Sequence, residues 1–523
     1  MTIPKSGRLY IIGAGFAGQT LAGEIKKKGI FGKVVAFLDD DAEKIGRRID
    51  GIPVLGPIHD VAQLLRMNPA DEAVIAIPGA SREYLAELYA GLKKAGFERI
   101  RILPGISQII EGDAHLIQTR SIDPQDLLGR DPVAVNLKQS LSYLRGKRVL
   151  VTGAGGSIGS ELCRQLLSGG ASRLYLFGHG ENSIYLIDRE LRLLQEEGVG
   201  EKATLVPVVG DLKDADYIGY ITGKLKADVI FHTAAYKHVP MMEENPVAAV
   251  ENNFFGTVNL VNAAAKHRVK RFVLITTDKA VDPVSVYGAS KYLCERAVLE
   301  AASRQTAPQV NFMAVRFGNV LGSRGSIVPL FQKQIEKGGP VTVTSPEMRR
   351  WFMTIPEACS LVLKAGGVGT NGNLYLLDMG EPVRIRDIAE QMIRFYGFEP
   401  EKEIKIEYIG TRPGERLDER LWARDEKPVK TEYSRILRVE RQPPPAPDLE
   451  ALTEKLRPIC CFDRNAPEKY RDSELLRRIL REAIPSFAMP DMPALPSALP
   501  LAKHAAGHSG AKDSGAKAAP PRA

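Results

Sequence analysis

No uninterrupted apolar run in the 523 residues approaches the ~18 that a membrane-spanning helix requires. The longest apolar-rich stretch, residues 483–502, carries Asp491 and is broken by Pro485, Pro490, Pro493, Pro496 and Pro500, so it cannot span a bilayer. No charged-then-apolar leader follows Met1, and the expectation is a cytoplasmic protein with no membrane span. Cysteine is scarce: Cys163, Cys294, Cys359, Cys460 and Cys461 form no CxxC pair and no Cys/His cluster with metal spacing. That argues for reduced thiols and against a disulfide scaffold or a metal centre. The formal net charge is +8, yet no basic stretch is interleaved with aromatics, so no nucleic-acid platform is expected. Small anionic ligands such as nucleotides suit that charge better.

What the chain does have is apolar material for large cores. With 44% hydrophobic and 26% charged residues, wholesale disorder is excluded. At ~150 residues per domain the length suggests about three units. Residues 1–105 alternate short apolar strands with helical stretches, including strands at 72–78 and 99–103, and read as a Rossmann-like unit. Residues 106–144 read as a connecting segment. A larger α/β unit opens at 145 and runs to about 440, its strict alternation ending near Gly318 in a mixed, loop-rich region. Residues 441–485 hold a stiff proline linker at 443–447 and two helical patterns. Residues 486–523 form a Pro/Ala/Lys/Gly tail that cannot bury a core and is expected to be disordered.

Two glycine-rich turns follow strands. The first places Gly13, Gly15 and Gly18 before a helix, with Asp39 at the end of the next strand, where an acid can accept from a ribose. This unit is expected either to bind a nucleotide or nucleotide sugar, or to have lost its ligand and serve as scaffold. The second turn is Thr152-Gly153-Ala154-Gly155-Gly156-Ser157-Ile158-Gly159, with GxxGxxG spacing through Gly153, Gly156 and Gly159. That spacing is the short-chain dehydrogenase form of the dinucleotide turn. The next strand ends Phe177-Gly178-His179 with no acid at its tip, which favours NADP over NAD because no carboxylate repels a 2′-phosphate. His179 reads as a solvated loop histidine. Asp211, followed by Leu212, ends the third strand, where an Asp can read the adenine amino group.

The chemistry is concentrated in Thr276-Thr277-Asp278-Lys279 and Tyr287-Gly288-Ala289-Ser290-Lys291. Tyr287 and Lys291, four apart on a helix, share a face. A nearby ammonium lowers the phenol pKa, so Tyr287 can take a sugar hydroxyl's proton while a nicotinamide takes the hydride. Asp278 and Lys279 add an acid and an amine at a strand end, a pair suited to eliminating water beside a new ketone. The plainer reading of such a pair is a surface ion pair; its position next to Thr277 argues otherwise.

Together these motifs resemble the nucleotide-sugar 4,6-dehydratases of bacterial polysaccharide and glycan biosynthesis, in particular the UDP-N-acetylglucosamine 4,6-dehydratase family. The likeness also rests on residues 232–240 (His-Thr-Ala-Ala-Tyr-Lys-His-Val-Pro), 316–323 (Arg-Phe-Gly-Asn-Val-Leu-Gly-Ser), 352–358 (Phe-Met-Thr-Ile-Pro-Glu-Ala) and 412–415 (Arg-Pro-Gly-Glu), and covers roughly residues 8–421. It implies two tandem Rossmann-like units, the second an extended short-chain dehydrogenase/reductase at 145–440 with a small substrate-binding subdomain. It implies NADP, with NAD possible, held at Thr152, Gly153, Gly156, Ser157, Ile158, Gly159, Asp211, Leu212, Ala234, Ala235, Tyr287 and Lys291. It implies Tyr287 as base at the C4 hydroxyl, with Lys291 lowering its pKa and Thr277 holding that hydroxyl. Lys279 would remove the C5 proton and Asp278 protonate the departing C6 hydroxyl. Lys237, Asn319, Arg412 and Glu415 would hold the UDP-sugar, and a homo-oligomer is expected.

Two departures qualify the likeness. Longer members carry membrane helices before the first unit, and many carry Met where this chain has Tyr287. The two-domain layout points to retention at C5 while Tyr287 is shared with the inverting class, so the stereochemistry stays open. Two other readings compete with the dehydratase: an epimerase of the same fold, which has no need of Asp278 and Lys279, and a nucleotide-responsive regulatory protein, against which the intact catalytic set speaks.

Overall fold

The computed structural model describes residues 8–28, 33–77, 82–97, 99–102, 141–200, 202–305, 310–396, 398–441 and 448–488. The connecting segment at 106–144, apart from its last four residues, the linker at 443–447 and the tail beyond Ala488 lie outside the described residues.

The first unit is a parallel sheet in the spatial order Lys33–Leu38, Arg8–Ile12, Glu72–Ile75, Arg99–Ile102. Leu9, Tyr10, Ile11 and Ile12 are all fully buried because both faces are covered. Alternate side chains serve opposite faces: Leu9 and Ile11 meet Leu21 and Ile25 of helix Phe16–Lys28, whereas Tyr10 and Ile12 meet Leu64, Leu88 and Leu92.

The second unit is built on a nine-stranded sheet. Its order is Glu426–Lys430, Ile436–Arg441, Asn373–Leu377, Asn311–Phe317, Arg271–Thr277, Val229–His232, Arg148–Thr152, Arg173–Gly178, Thr204–Val209. The last seven run parallel; Ile436–Arg441 is antiparallel to both its neighbours, so Glu426–Lys430 shares the direction of the seven. Strand order reverses on either side of Arg148–Thr152, and such a switch point opens a crevice at the carboxyl ends of the strands. A smaller core lies beside the sheet, where strands Val341–Val343 and Ile406–Tyr408 pair and Phe331 and Ile335 of helix Ile327–Glu336 meet Ile388 and Met392 of helix Ile385–Phe395. The two C-terminal helices, Leu449–Cys460 and Ser473–Ala483, share a third core with Phe254, Phe255, Val286 and Leu293.

The sequence reading ended the alternation near Gly318, but three later strands join the sheet. Two of them, Glu426–Lys430 and Ile436–Arg441, escape an apolar pattern because each sends one charged side chain inward, Glu426 and Arg441. Arg316, fully buried, is gripped by Glu295 at 2.7 Å and Glu426 at 2.6 Å. Arg441 bonds the same two carboxylates at 2.6 Å each. Burial works against the charge on Glu426, but the guanidiniums of Arg316 and Arg441 hold it down at about 2. His232 is a second buried polar element, bridging Thr152 Oγ1 at 2.7 Å and Thr257 Oγ1 at 2.9 Å. Burial, with the charge of Lys291, lowers it to about 3, so it sits neutral.

Two outcomes follow from these groups. Arg316→Leu leaves two buried carboxylates sharing the single guanidinium of Arg441 and is expected to cost about 3–5 kcal/mol in urea unfolding. His232 binds its proton in the unfolded chain near pH 6.5 but in the folded one only near 3, so stability falls as pH drops from about 6.5. Glu426 joins below about 4.5. Urea midpoints that stay level between pH 7 and 5 would contradict the His232 part.

Candidate active site

The crevice at the switch point is a cleft of about 930 Å³. Its floor is the second glycine turn, which ends strand Arg148–Thr152 and starts helix Ser157–Ser168 with Gly156 as N-cap. Gly153 takes φ +69°, and a Cβ there would come within 2.8 Å of the Ala234 backbone. A Cβ at Gly159 would collide with the Gly153 carbonyl. The turn therefore brings bare backbone to the cleft beside the positive end of a helix, the arrangement that accepts a pyrophosphate.

Most of the residues expected at the cofactor line this cleft: Gly153, Gly156, Ser157, Ile158, Gly159, Asp211, Leu212, Ala234, Ala235, Tyr287 and Lys291. Thr152 does not. It is fully buried and spends its hydroxyl on His232, which ties the turn to helix Gly256–Lys266 through Thr257. His179 also lines the cleft, with its ring edge-on to Tyr236.

The catalytic candidates converge from two elements. Strand Arg271–Thr277 ends at Thr277, and Asp278 and Lys279 form a single 3-10 turn beyond it. Helix Val286–Ser303 carries Tyr287 and Lys291 and is capped by Ser285, whose Oγ accepts from Gly288 N at 3.0 Å. Lys291 Nζ donates to Ile275 O at 2.9 Å, which anchors the helix to the same strand. Thr277 and Tyr287 both line the cleft, and Thr277 Oγ1 donates to Asp278 Oδ1 at 2.7 Å. Lys279 Nζ donates to the same Oδ1 at 3.1 Å and to Asn319 Oδ1 at 3.2 Å. Burial pushes the Tyr287 phenol well above its ordinary value, and the Asp278 charge pushes it further. Burial lowers Lys291.

The substrate candidates divide. Lys237 and Asn319 line the cleft with Thr277 and Lys279, and Lys237 Nζ donates to Arg324 O at 2.9 Å. Asn319 is turned to Lys279. Arg412 and Glu415 are paired with each other at 2.7 Å and are not among the residues that line the cleft. In the first unit Gly13 has φ +102°, and a Cβ there would press on Ala76 O at 2.8 Å, whereas one at Gly15 would meet nothing within 4 Å. A Cβ at Gly18 would collide with Gly13 O. Asp39, expected at a ribose, instead accepts from Ala14 N at 2.6 Å and from Asp41 N at 2.9 Å, holding its own turn.

Three residues at the site went unread in the sequence. Arg324 donates to Gly155 O at 2.9 Å, and its backbone N–H donates to Ser157 Oγ at 3.1 Å, laying a guanidinium over the glycine turn. It stands one residue beyond the 316–323 run. Glu419, almost fully buried, stands 3.9 Å from Lys279 Nζ, and burial raises its carboxyl. Glu243, equally buried, accepts from Val286 N at 2.6 Å at the start of the Tyr287 helix and pairs with Arg477 at 2.7 Å. Neither glutamate stands in a spacing pattern; each acts through a partner distant in sequence.

A family model described as polysaccharide biosynthesis protein matches residues 149–441. The chain is 41% identical over 430 residues to the capsular polysaccharide biosynthesis protein CapD of Staphylococcus aureus, covering 82% of this chain and 70% of that one. It is 29% identical to the UDP-N-acetylglucosamine 4,6-dehydratase (inverting) of Campylobacter jejuni, over 55% of this chain and 81% of that one. It is also 30% identical to the UDP-glucose 4-epimerase of Rickettsia canadensis, over 53% and 77%. Among solved structures, Pen from Bacillus thuringiensis superposes with a TM-score of 0.52 at 32% identity, covering 58% of this chain and 91% of that one.

The turn geometry makes one prediction. Gly159→Ala is expected to abolish nicotinamide dinucleotide binding in calorimetry while far-UV dichroism stays close to that of the parent; unchanged affinity would mean the turn is not the pyrophosphate cradle.

Proposed function

Because this chain belongs to the polysaccharide biosynthesis protein family, we propose that it is an NADP-dependent nucleotide-sugar 4,6-dehydratase acting on UDP-N-acetylglucosamine. The observation that carries this reading is the Asp278–Lys279 pair, 3.1 Å apart: Lys279 lines a dinucleotide-shaped cleft with Thr277 and Tyr287, and Asp278 is buried behind it. An epimerase needs only the tyrosine and lysine of the helix. The pair supplies what dehydration adds: an acid and a base at neighbouring carbons.

The residues fit a dinucleotide on the strength of the turn: bare backbone at Gly153 and Gly159, and a helix N-terminus facing the cleft. NADP is favoured over NAD because the strand tip at Gly178 and His179 brings no carboxylate to the cleft. When bound, the nicotinamide supplies reversible hydride acceptance. Tyr287, as phenolate, takes the proton of the C4 hydroxyl as C4 is oxidised, and Thr277 orients that hydroxyl. Positive charge from Lys291 and from the oxidised cofactor opposes the upward push of burial on Tyr287. The C4 ketone acidifies C5, whose proton goes to Lys279. Asp278 protonates the C6 oxygen, and water departs. A bound nicotinamide would supply the hydride for C6, and Lys279 returns the proton to C5. Lys237 and Arg324 add positive charge beside the diphosphates.

Two measurements test this. Protein incubated with UDP-N-acetylglucosamine in D2O and followed by proton NMR is expected to yield a 6-deoxy-4-keto sugar with deuterium at C5; UDP-N-acetylgalactosamine with its C6 oxygen intact would make it an epimerase. Lys279→Ala is expected to lower C5 exchange by about 10²–10⁴-fold with dinucleotide affinity unchanged. Exchange near the parent rate would remove Lys279 as the base.

A further inference from the structure

The proposed reaction takes a hydride from C4 and gives it back at C6. An enzyme that let go of its dinucleotide between the two steps would strand a half-converted sugar. The bare backbone at Gly153 and Gly159 lets a pyrophosphate approach, but it presents no side chain to hold one in place. A residue from a different part of the cleft wall stands over that turn.

That residue is Arg324, which lines the cleft although it lies 169 residues further along the chain than Gly155. It sits in the short loop between strand Asn319–Val320 and helix Ile327–Glu336, and that helix is rooted in the smaller core. The loop is tightly shaped. Gly322 and Gly325 take φ +72° and +70° on either side of Arg324, and Ser326 N donates to Ser323 O at 3.0 Å. Lys237 Nζ donates to the Arg324 carbonyl at 2.9 Å. Gly325 packs so closely on the His238 ring that a Cβ there would come within 2.6 Å of it. From this position Arg324 reaches the dinucleotide turn twice, through its backbone N–H to Ser157 Oγ at 3.1 Å and through Nη1 to Gly155 O at 2.9 Å.

The guanidinium is not neutralised nearby. Among the described residues it forms no ion pair, and Gly155 O takes one of its five N–H donors. Its remaining donors and its charge lie beside the helix N-terminus that attracts an anion. Both of its contacts fall on the dinucleotide turn, whereas Asn319, just before the same loop, is turned to Lys279. Resting on the dehydratase reading, we propose that Arg324 retains the dinucleotide by gripping its pyrophosphate against the turn. The pyrophosphate then lies between bare backbone on one side and a guanidinium on the other, and the dinucleotide stays through the whole cycle. Release requires the 323–326 turn to lift off Gly155 and Ser157.

Retention is read without turnover. The full chain is loaded with NADPH and mixed rapidly with excess NADP, and the decay of bound NADPH fluorescence gives the dissociation rate. Arg324→Ala is expected to release NADPH about 10-fold faster or more, from the loss of a charge-assisted hydrogen bond. The Michaelis constant for UDP-N-acetylglucosamine, measured at saturating NADP, is expected to change less than the release rate. Arg324→Lys, which keeps the charge but not the fork, is expected to fall between Arg324→Ala and the parent. Release from Arg324→Ala at the parent rate would overturn the retaining role. A parent release rate with a raised Michaelis constant would also overturn it, and would move Arg324 to the sugar's own diphosphate. If Arg324→Ala fails to fold by dichroism, Arg324→Gln decides on the same readout: faster release supports retention, and the parent rate overturns it. Absence of any 6-deoxy-4-keto product from the parent would defeat the dehydratase reading itself, whatever the release rates, because release is measured without sugar.

Discussion

Four charged side chains buried between the sheet and the Tyr287 helix set the geometry on which everything else rests. Glu295 comes from that helix, Arg316 from a central strand, and Glu426 and Arg441 from the two antiparallel edge strands. Thr276 joins them by donating to Glu295 Oε1 at 3.0 Å, and it immediately precedes Thr277 and Asp278. Removing such charges from water is costly, and mutual pairing offsets the cost only when every partner is in place. The network therefore accepts one register of helix against strand. That register brings Tyr287 and Thr277 to the wall of one cleft.

The opposite end of the same helix is held differently. Ser285 caps it, and Glu243 takes up the Val286 N–H, which would otherwise lack a partner at a helix start. The loop carrying Gly414 packs here too; a Cβ at that glycine would come within 3.0 Å of Ser285 Cβ and 3.3 Å of Glu243 Cγ. The Arg-Pro-Gly-Glu run thus has a packing role at the base of the Tyr287 helix, and its charges face each other. Run 352–358 likewise has a local explanation: Thr354 and Glu357 form a reciprocal capping box, with a proline in the first turn, that starts helix Ile355–Val368.

What the sequence made legible was local. Glycine turns, strand ends and a tyrosine and lysine one helical turn apart carry their geometry in their spacing, so the two sheets, the cleft and the convergence of Thr277, Asp278, Lys279, Tyr287 and Lys291 could all be anticipated. Long-range polar pairing was not legible. Strand Glu426–Lys430 looks like a loop until Arg316 is known to need Glu426, and Asp39 looks like a ribose ligand until its carboxylate is found on Ala14 N–H. Glu419 and Glu243 had no motif around them because their partners lie from 43 to 234 residues away.

The pairing of Glu243 with Arg477 has a consequence for how the chain comes off the ribosome. Synthesis runs from the N-terminus, and domains generally fold as they emerge. The Tyr287 helix is translated long before residue 477, so Glu243 and Val286 are both made before the guanidinium that pairs with Glu243. A buried carboxylate in that state favours either a proton or an opened helix start. Among the described residues helix Ser473–Ala483 is the last to be made, and it is the one that settles the first turn of the Tyr287 helix and completes the core that the two share.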